Sequence, residues 1–145
     1  MKVIFAADHG GFELKRALKE RLVKDGYEVE DMGAHTLEPS DDYPAILFPA
    51  ARKIANETGT MGIFLCRSGV GAAIVANKVK GLRAAVVRSK EEVAHAREHN
   101  DIRVLALGSE TLSEEQAYDI ASVFLTTLFS GEERHARRIK QIDAL

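Results

Sequence analysis

The chain of 145 residues contains a single cysteine, Cys66. One cysteine excludes an internal disulfide framework and a multi-cysteine zinc site, and it suits a reducing compartment, so a cytoplasmic location is expected. Charge of one sign is also missing: 20 Lys and Arg residues face 22 Asp and Glu residues, for a formal net charge of −2. No broad basic surface therefore advertises nucleic acid or anionic lipid, and only local anion sites fit that balance. Nor does the sequence hold an apolar run of the roughly 18 residues that a membrane-spanning helix needs. Its first apolar stretch gives way at once to Asp8 and His9 rather than to the core of a signal peptide. What remains is the length of one ordinary domain, enough to bury a continuous core without staples, and a single domain over residues 1–145 is expected.

Short β-branched or apolar runs stand at residues 3–7, 27–32, 61–65, 82–87 and 104–107. Each is followed by polar or glycine-rich residues and then by a longer pattern of helical period, the alternation of βαβ units. In the first helix Leu14, Leu18, Leu22 and Val23 form the apolar stripe, with Lys15, Lys19, Glu20 and Lys24 off it, and Gly26 is a plausible stop. Further helices are predicted over 43–57, 71–78, 90–99 and 113–129, the last opened by Ser113 with Gln116 at capping-box spacing. A basic C-terminal helix is predicted over 132–142. Strands that are apolar throughout are buried on both faces. The expected fold is an α/β three-layer αβα sandwich around a Rossmann-like five-stranded parallel sheet, order 2-1-3-4-5, with ligands at the carboxyl ends of its strands.

Two of those ends carry reactive residues, 7–11 after the first strand and 66–71 after the third. In Cys66-Arg67-Ser68-Gly69-Val70-Gly71 the cysteine follows an apolar strand and precedes a small-residue helix. Free amides and a positive helix end should therefore surround it, able to hold a phosphate or a developing oxyanion. Taken alone, a lone cysteine at a strand end is usually a small buried hydrophobe. Counting disfavours two other chemistries. A cysteine-phosphatase loop needs an arginine six positions after the cysteine, where Ala72 stands, and a Walker loop needs Gly-Lys-Ser or Gly-Lys-Thr where Gly71-Ala72-Ala73 stands. His95-Ala96-Arg97-Glu98-His99 fits a His-x-x-Glu-His zinc pattern but specifies no third ligand. Asp8 and His9 could simply cap the first helix, Arg134 and Arg138 could share a solvated face, and His35 and His135 are read as surface residues.

Five ordered segments together are more specific than any one of them. Asp8-His9-Gly10-Gly11, Cys66-x-Ser68-Gly69-Val70-Gly71, Ala76-Asn77-Lys78-Val79-Lys80-Gly81, Ala96-Arg97-Glu98-His99-Asn100-Asp101 and Arg134-His135-Ala136-Arg137-Arg138 follow one another through almost the entire chain. In this order they resemble the ribose-5-phosphate isomerase B and galactose-6-phosphate isomerase family. The resemblance implies aldose–ketose isomerisation of a sugar phosphate, ribose 5-phosphate first among the candidates, through an enediolate and without metal or organic cofactor. It makes Cys66 the base, with the amides around Ser68, Gly69, Val70 and Gly71 stabilising the enediolate oxygen. It assigns Asp8 to the sugar hydroxyls, His99 with Asn100 to ring opening, His9, Arg134 and Arg138 to the phosphate, and Tyr43 to the sugar. It also implies a homodimer, or a dimer of dimers, whose sites are completed by His99 of the neighbouring chain; galactose-6-phosphate isomerases combine two related chains. A non-catalytic sugar-phosphate-binding module is the alternative on the same fold.

Three positions depart from the family pattern. Arg67 replaces a glycine, Glu110 replaces an arginine that contacts phosphate in many members, and Tyr43-Pro44 is followed by Ala45 rather than aspartate. A carboxylate at 110 repels a phosphate dianion. Arg67 could compensate for the lost cation or pair with Glu110 on the rim; a different sugar, longer, shorter or unphosphorylated, is the other expectation.

Overall fold

The computed structural model describes residues 1–145. Five parallel strands form one sheet: β1 (Lys2–Ala7), β2 (Glu28–Asp31), β3 (Thr60–Cys66), β4 (Ala84–Val86) and β5 (Val104–Gly108). Six helices connect and cover them: α1 (Phe12–Lys24), α2 (Tyr43–Asn56), α3 (Val70–Asn77), α4 (Lys90–Asn100), α5 (Glu114–Thr126) and α6 (Glu133–Asp143). The three-layer α/β architecture is the expected one, but the strand order is 2-1-3-5-4, not 2-1-3-4-5. Burial explains the exchange. β5 is buried along its whole length and takes the inner position against β3, whereas the three residues of β4 are half-buried or exposed and take the edge. A short strand with little to bury is the natural edge strand.

Strand parity sorts the core into two layers. Val3, Phe5, Ile63, Leu65, Leu105 and Leu107 face α1, α4 and α5, while Ile4, Ala6, Phe64, Cys66, Val104 and Ala106 face α2 and α3. The same parity puts Cys66 at the end of β3 on the α2–α3 side. Ser113 caps α5 by accepting from the Gln116 amide, and Gln116 returns the bond to the Ser113 amide, the capping box read from sequence.

Two side chains of α1 differ from the helical-stripe reading. Val23 is exposed, and Lys15 is buried with its ammonium donating to Asp31 Oδ1 at 2.8 Å and to the Ala34 carbonyl at 2.6 Å. Lysine reaches the core because its partners lie at the end of β2, beyond what a helical pattern can report. No helix is long and apolar enough to cross a membrane.

Candidate active site

Cys66 ends β3, three residues before a reversal that leads directly into α3. Gly69 makes that reversal in the left-handed region, φ 79°, where a side chain would be strained, and its amide donates to Cys66 Sγ at 3.2 Å. Cys66 is 6% exposed. The first amides of α3 have no partners within their helix, so they supply positive ends next to the sulfur. Gly71, in the first turn, lets the Tyr43 ring lie against the backbone: a Cβ there would stand 2.8 Å from the ring. Tyr43 in turn is fixed as the first residue of α2.

The end of β1 closes the opposite wall. Asp8 is buried, and its Oδ1 accepts from the Gly11 amide at 3.1 Å, so it caps the short 3-10 turn that leads into α1 and not α1 itself, whose N-cap, Gly11, has no side-chain partner. His9 follows in a short 3-10 turn and is held by Asp41, from the segment before α2, with Nδ1 at 2.7 Å from Oδ1. Asp8, His9, Tyr43, Cys66, Arg67, Ser68, Val70, Gly71 and Ile74 together line an open cavity of about 430 Å³. Asp8, His9 and Asp41 also bring three ligand-capable atoms within 4.8 Å of one another.

Arg67 leans over Gly10 and its guanidinium meets Glu110 at 3.3 Å, both side chains well exposed. The remaining predicted residues lie elsewhere. His99 and Asn100 end α4, Arg134 and Arg138 are exposed on α6, and none of the four lines the cavity. Arg134 donates to Glu132 at 3.1 Å.

A second cluster forms around His99. Its Nδ1 lies 3.0 Å from His95 Nε2, and its ring stacks on His135 at 4.2 Å with 12° between planes. His135 is thus buried rather than on the surface, with Nε2 unpartnered, while His35 is exposed. Burial first, then the facing His99 and Arg134, holds the His135 imidazole below its ordinary value. Sequence reasoning missed it because the ring it stacks on comes from another helix. It missed Asp41 likewise, since the partner of His9 lies 32 residues away.

The sequence model of a family described as Ribose/Galactose Isomerase matches residues 3–142. The chain belongs to that family. It is therefore an isomerase of sugars. Ribose-5-phosphate isomerase B of Mycobacterium tuberculosis is 41% identical over 139 residues, which cover 96% of this chain and 86% of the relative. The crystal structure of ribose-5-phosphate isomerase B from Mycoplasma genitalium with bound ribulose-5-phosphate is 38% identical and superposes with a TM-score of 0.94, over 99% of this chain and 94% of that one. The Clostridium thermocellum ribose-5-phosphate isomerase B is 41% identical, with a TM-score of 0.94 over 99% of this chain and 96% of its own. Family membership agrees with the αβα architecture.

Proposed function

We propose that residues 1–145 act as one sugar-phosphate isomerase domain interconverting ribose 5-phosphate and ribulose 5-phosphate, with Cys66 as the base. The observation that carries this reading is the placement of Cys66 Sγ on the Gly69 amide, at the start of α3, inside a cavity that also holds Asp8, His9 and Tyr43. The ligand-bound relative from Mycoplasma genitalium supports the sugar phosphate.

In the open-chain aldose, the Cys66 thiolate removes the proton on C2, the electron pair forms the C1–C2 double bond, and negative charge moves to O1. Amides of the loop at Ser68, Gly69, Val70 and Gly71 stabilise that charge, which is costly to desolvate. A proton then passes from O2 to O1 and the thiol returns its own to C1, leaving the ketone at C2. Asp8 orients the sugar hydroxyls and Tyr43 packs beside the sugar.

His99 and Asn100 lie outside the cavity, so this mechanism takes ring opening from a second copy of the chain in a homodimer, with Arg134 and Arg138 brought to the phosphate opposite His9. Val70 and Ile74, exposed on α3 beside the cavity, give such a copy an apolar surface to cover. No metal ligand set is required by any step. A base that must remain a free thiol ties the activity to a reducing compartment, the cytoplasm.

The deciding experiment is an isomerase panel over ribose 5-phosphate, allose 6-phosphate, galactose 6-phosphate, erythrose 4-phosphate and free pentoses, repeated with Cys66→Ala. Ribose 5-phosphate is expected to give the highest kcat/KM, and Cys66→Ala to lose about 10²–10⁴ in kcat, the span of a removed general base, while still binding ribulose 5-phosphate. Unchanged turnover in Cys66→Ala removes the base assignment. A different leading substrate removes the ribose assignment alone.

A further inference from the structure

His9 is held in an unusual way for a residue at the mouth of a cavity. One carboxylate oxygen, Asp41 Oδ1, accepts both from the His9 backbone amide, at 3.1 Å, and from ring Nδ1, at 2.7 Å. Because both bonds end on the same atom, the backbone and the ring of His9 are locked relative to each other. A carboxylate oxygen can only accept, so Nδ1 carries the hydrogen and Nε2 is the ring nitrogen left for a ligand. The Asp41 side chain is 12% exposed, and its other oxygen, Oδ2, is buried and takes no donor from the protein. His9 thus supplies both donors to this weakly screened carboxylate, with the Asp8 carboxylate close by, within 4.8 Å.

Position matters as much as charge. Asp41 stands two residues before Tyr43, and both His9 and Tyr43 line the cavity of Cys66. A single bond network therefore ties the wall from β1 to the wall from α2. We propose that Asp41 is a positioning residue for His9: its carboxylate holds the Nδ1–H tautomer and presents Nε2 to the phosphate of the substrate. The proposal rests on the phosphate role of His9 given above, and goes beyond it by naming what makes that ring competent.

Two measurements test it. In the ligand-free protein, the ¹⁵N shifts of the His9 ring at a pH where it is neutral should report the Nδ1–H tautomer, which Asp41→Asn retains through its carbonyl and Asp41→Ala loses. In steady-state kinetics with ribose 5-phosphate, Asp41→Ala should raise KM roughly tenfold with kcat within about twofold, the loss expected for a hydrogen bond to a charged group. In a His9→Gln background, Asp41→Ala should add nothing further, because residues acting through one contact are not additive. An Nε2–H tautomer in the wild type overturns the proposal, as does an equal rise in KM with and without His9. If Asp41→Ala does not fold, the wild-type tautomer and the KM of Asp41→Asn, expected near wild type, decide. Should His9→Gln itself leave KM unchanged, the phosphate role of His9 fails, while the tautomer still shows whether Asp41 sets the ring.

Discussion

The guanidinium of Arg67 faces the carboxylate of Glu110 at 3.3 Å, with the two side chains 65% and 61% exposed. The cation at position 67 is thus engaged by the anion at position 110. This arrangement favours a rim pair over a phosphate contact, because the charge of Arg67 is already answered before a ligand arrives. Exposed pairs of this kind contribute about 0–1 kcal/mol. Arg67→Gly is accordingly expected to change the KM for ribose 5-phosphate by less than about threefold and Tm by only a degree or two. Steady-state kinetics and thermal melts of Arg67→Gly check it, and a tenfold rise in KM would restore Arg67 to the phosphate site.

The proposed division of the site between two chains makes a prediction about mixtures. His99 is absent from the cavity that holds Cys66, and under that proposal a Cys66→Ala chain and a His99→Asn chain carry complementary defects. Each homo-oligomer should be nearly inactive. Dissociated, mixed and reassembled, they should recover activity, since a mixed dimer has one site with both residues intact; random pairing gives about a quarter of the wild-type rate. Size-exclusion chromatography and activity assays of the mixture measure this. Mixed dimers that form without regaining turnover would place the two residues in separate sites.

Much of this fold was legible in residue pattern, and what escaped shares a cause. Apolar runs located all five strands, and Ser113 with Gln116 located the start of α5, because these signals are local in sequence. The exchange of β4 and β5 was invisible because strand order depends on how much each strand buries against its neighbours, and β4 reads as a six-residue run although only Ala84–Val86 pairs. Within the site, Cys66 and Asp8 could be placed at adjoining strand ends from the alternation of strands and helices. Asp41, Lys15 and His135 could not, since each acquires its character from a partner on another element: His9, Asp31 and His99. Polar contacts between distant segments leave no period in the sequence.

Lys15 is the most deeply buried of these. Burial lowers its pKa against the raising effect of Asp31, and the ammonium still supplies the hydrogen bonds that hold Asp31 and the Ala34 carbonyl. Burial pushes the Asp31 carboxyl up, but the bonds from Lys15, Lys19 and the Gly33 amide outweigh it and leave the group below its ordinary value. Lys15→Met fills the same space without the charge. It should cost roughly 2–4 kcal/mol, by leaving a carbonyl unpaired and a carboxylate with one cation fewer. It should also begin acid unfolding at higher pH, because a depressed carboxyl contributes stability that is lost as pH falls through its folded value. Denaturant titrations across acidic pH read both effects; a stability equal to wild type would make Lys15 dispensable.

His135 has the same sign of linkage at a higher pH. In the unfolded chain its imidazole takes up a proton near the ordinary value of 6.5, whereas burial and the neighbouring His99 and Arg134 resist that proton in the folded chain. Below 6.5 the unfolded state therefore binds more protons, and the contribution of this group to stability, complete above 6.5, is lost as pH falls through its lower folded value. Glu132, 4.0 Å from Nε2, opposes the effect and does not reverse it. His135→Phe keeps a flat aromatic ring against His99 and removes the titration. Its Tm should fall less than that of the wild type between pH 7.5 and pH 5, while the two proteins differ little in slope above pH 7. Parallel slopes on the acid side would mean that His135 accepts its proton as readily folded as unfolded.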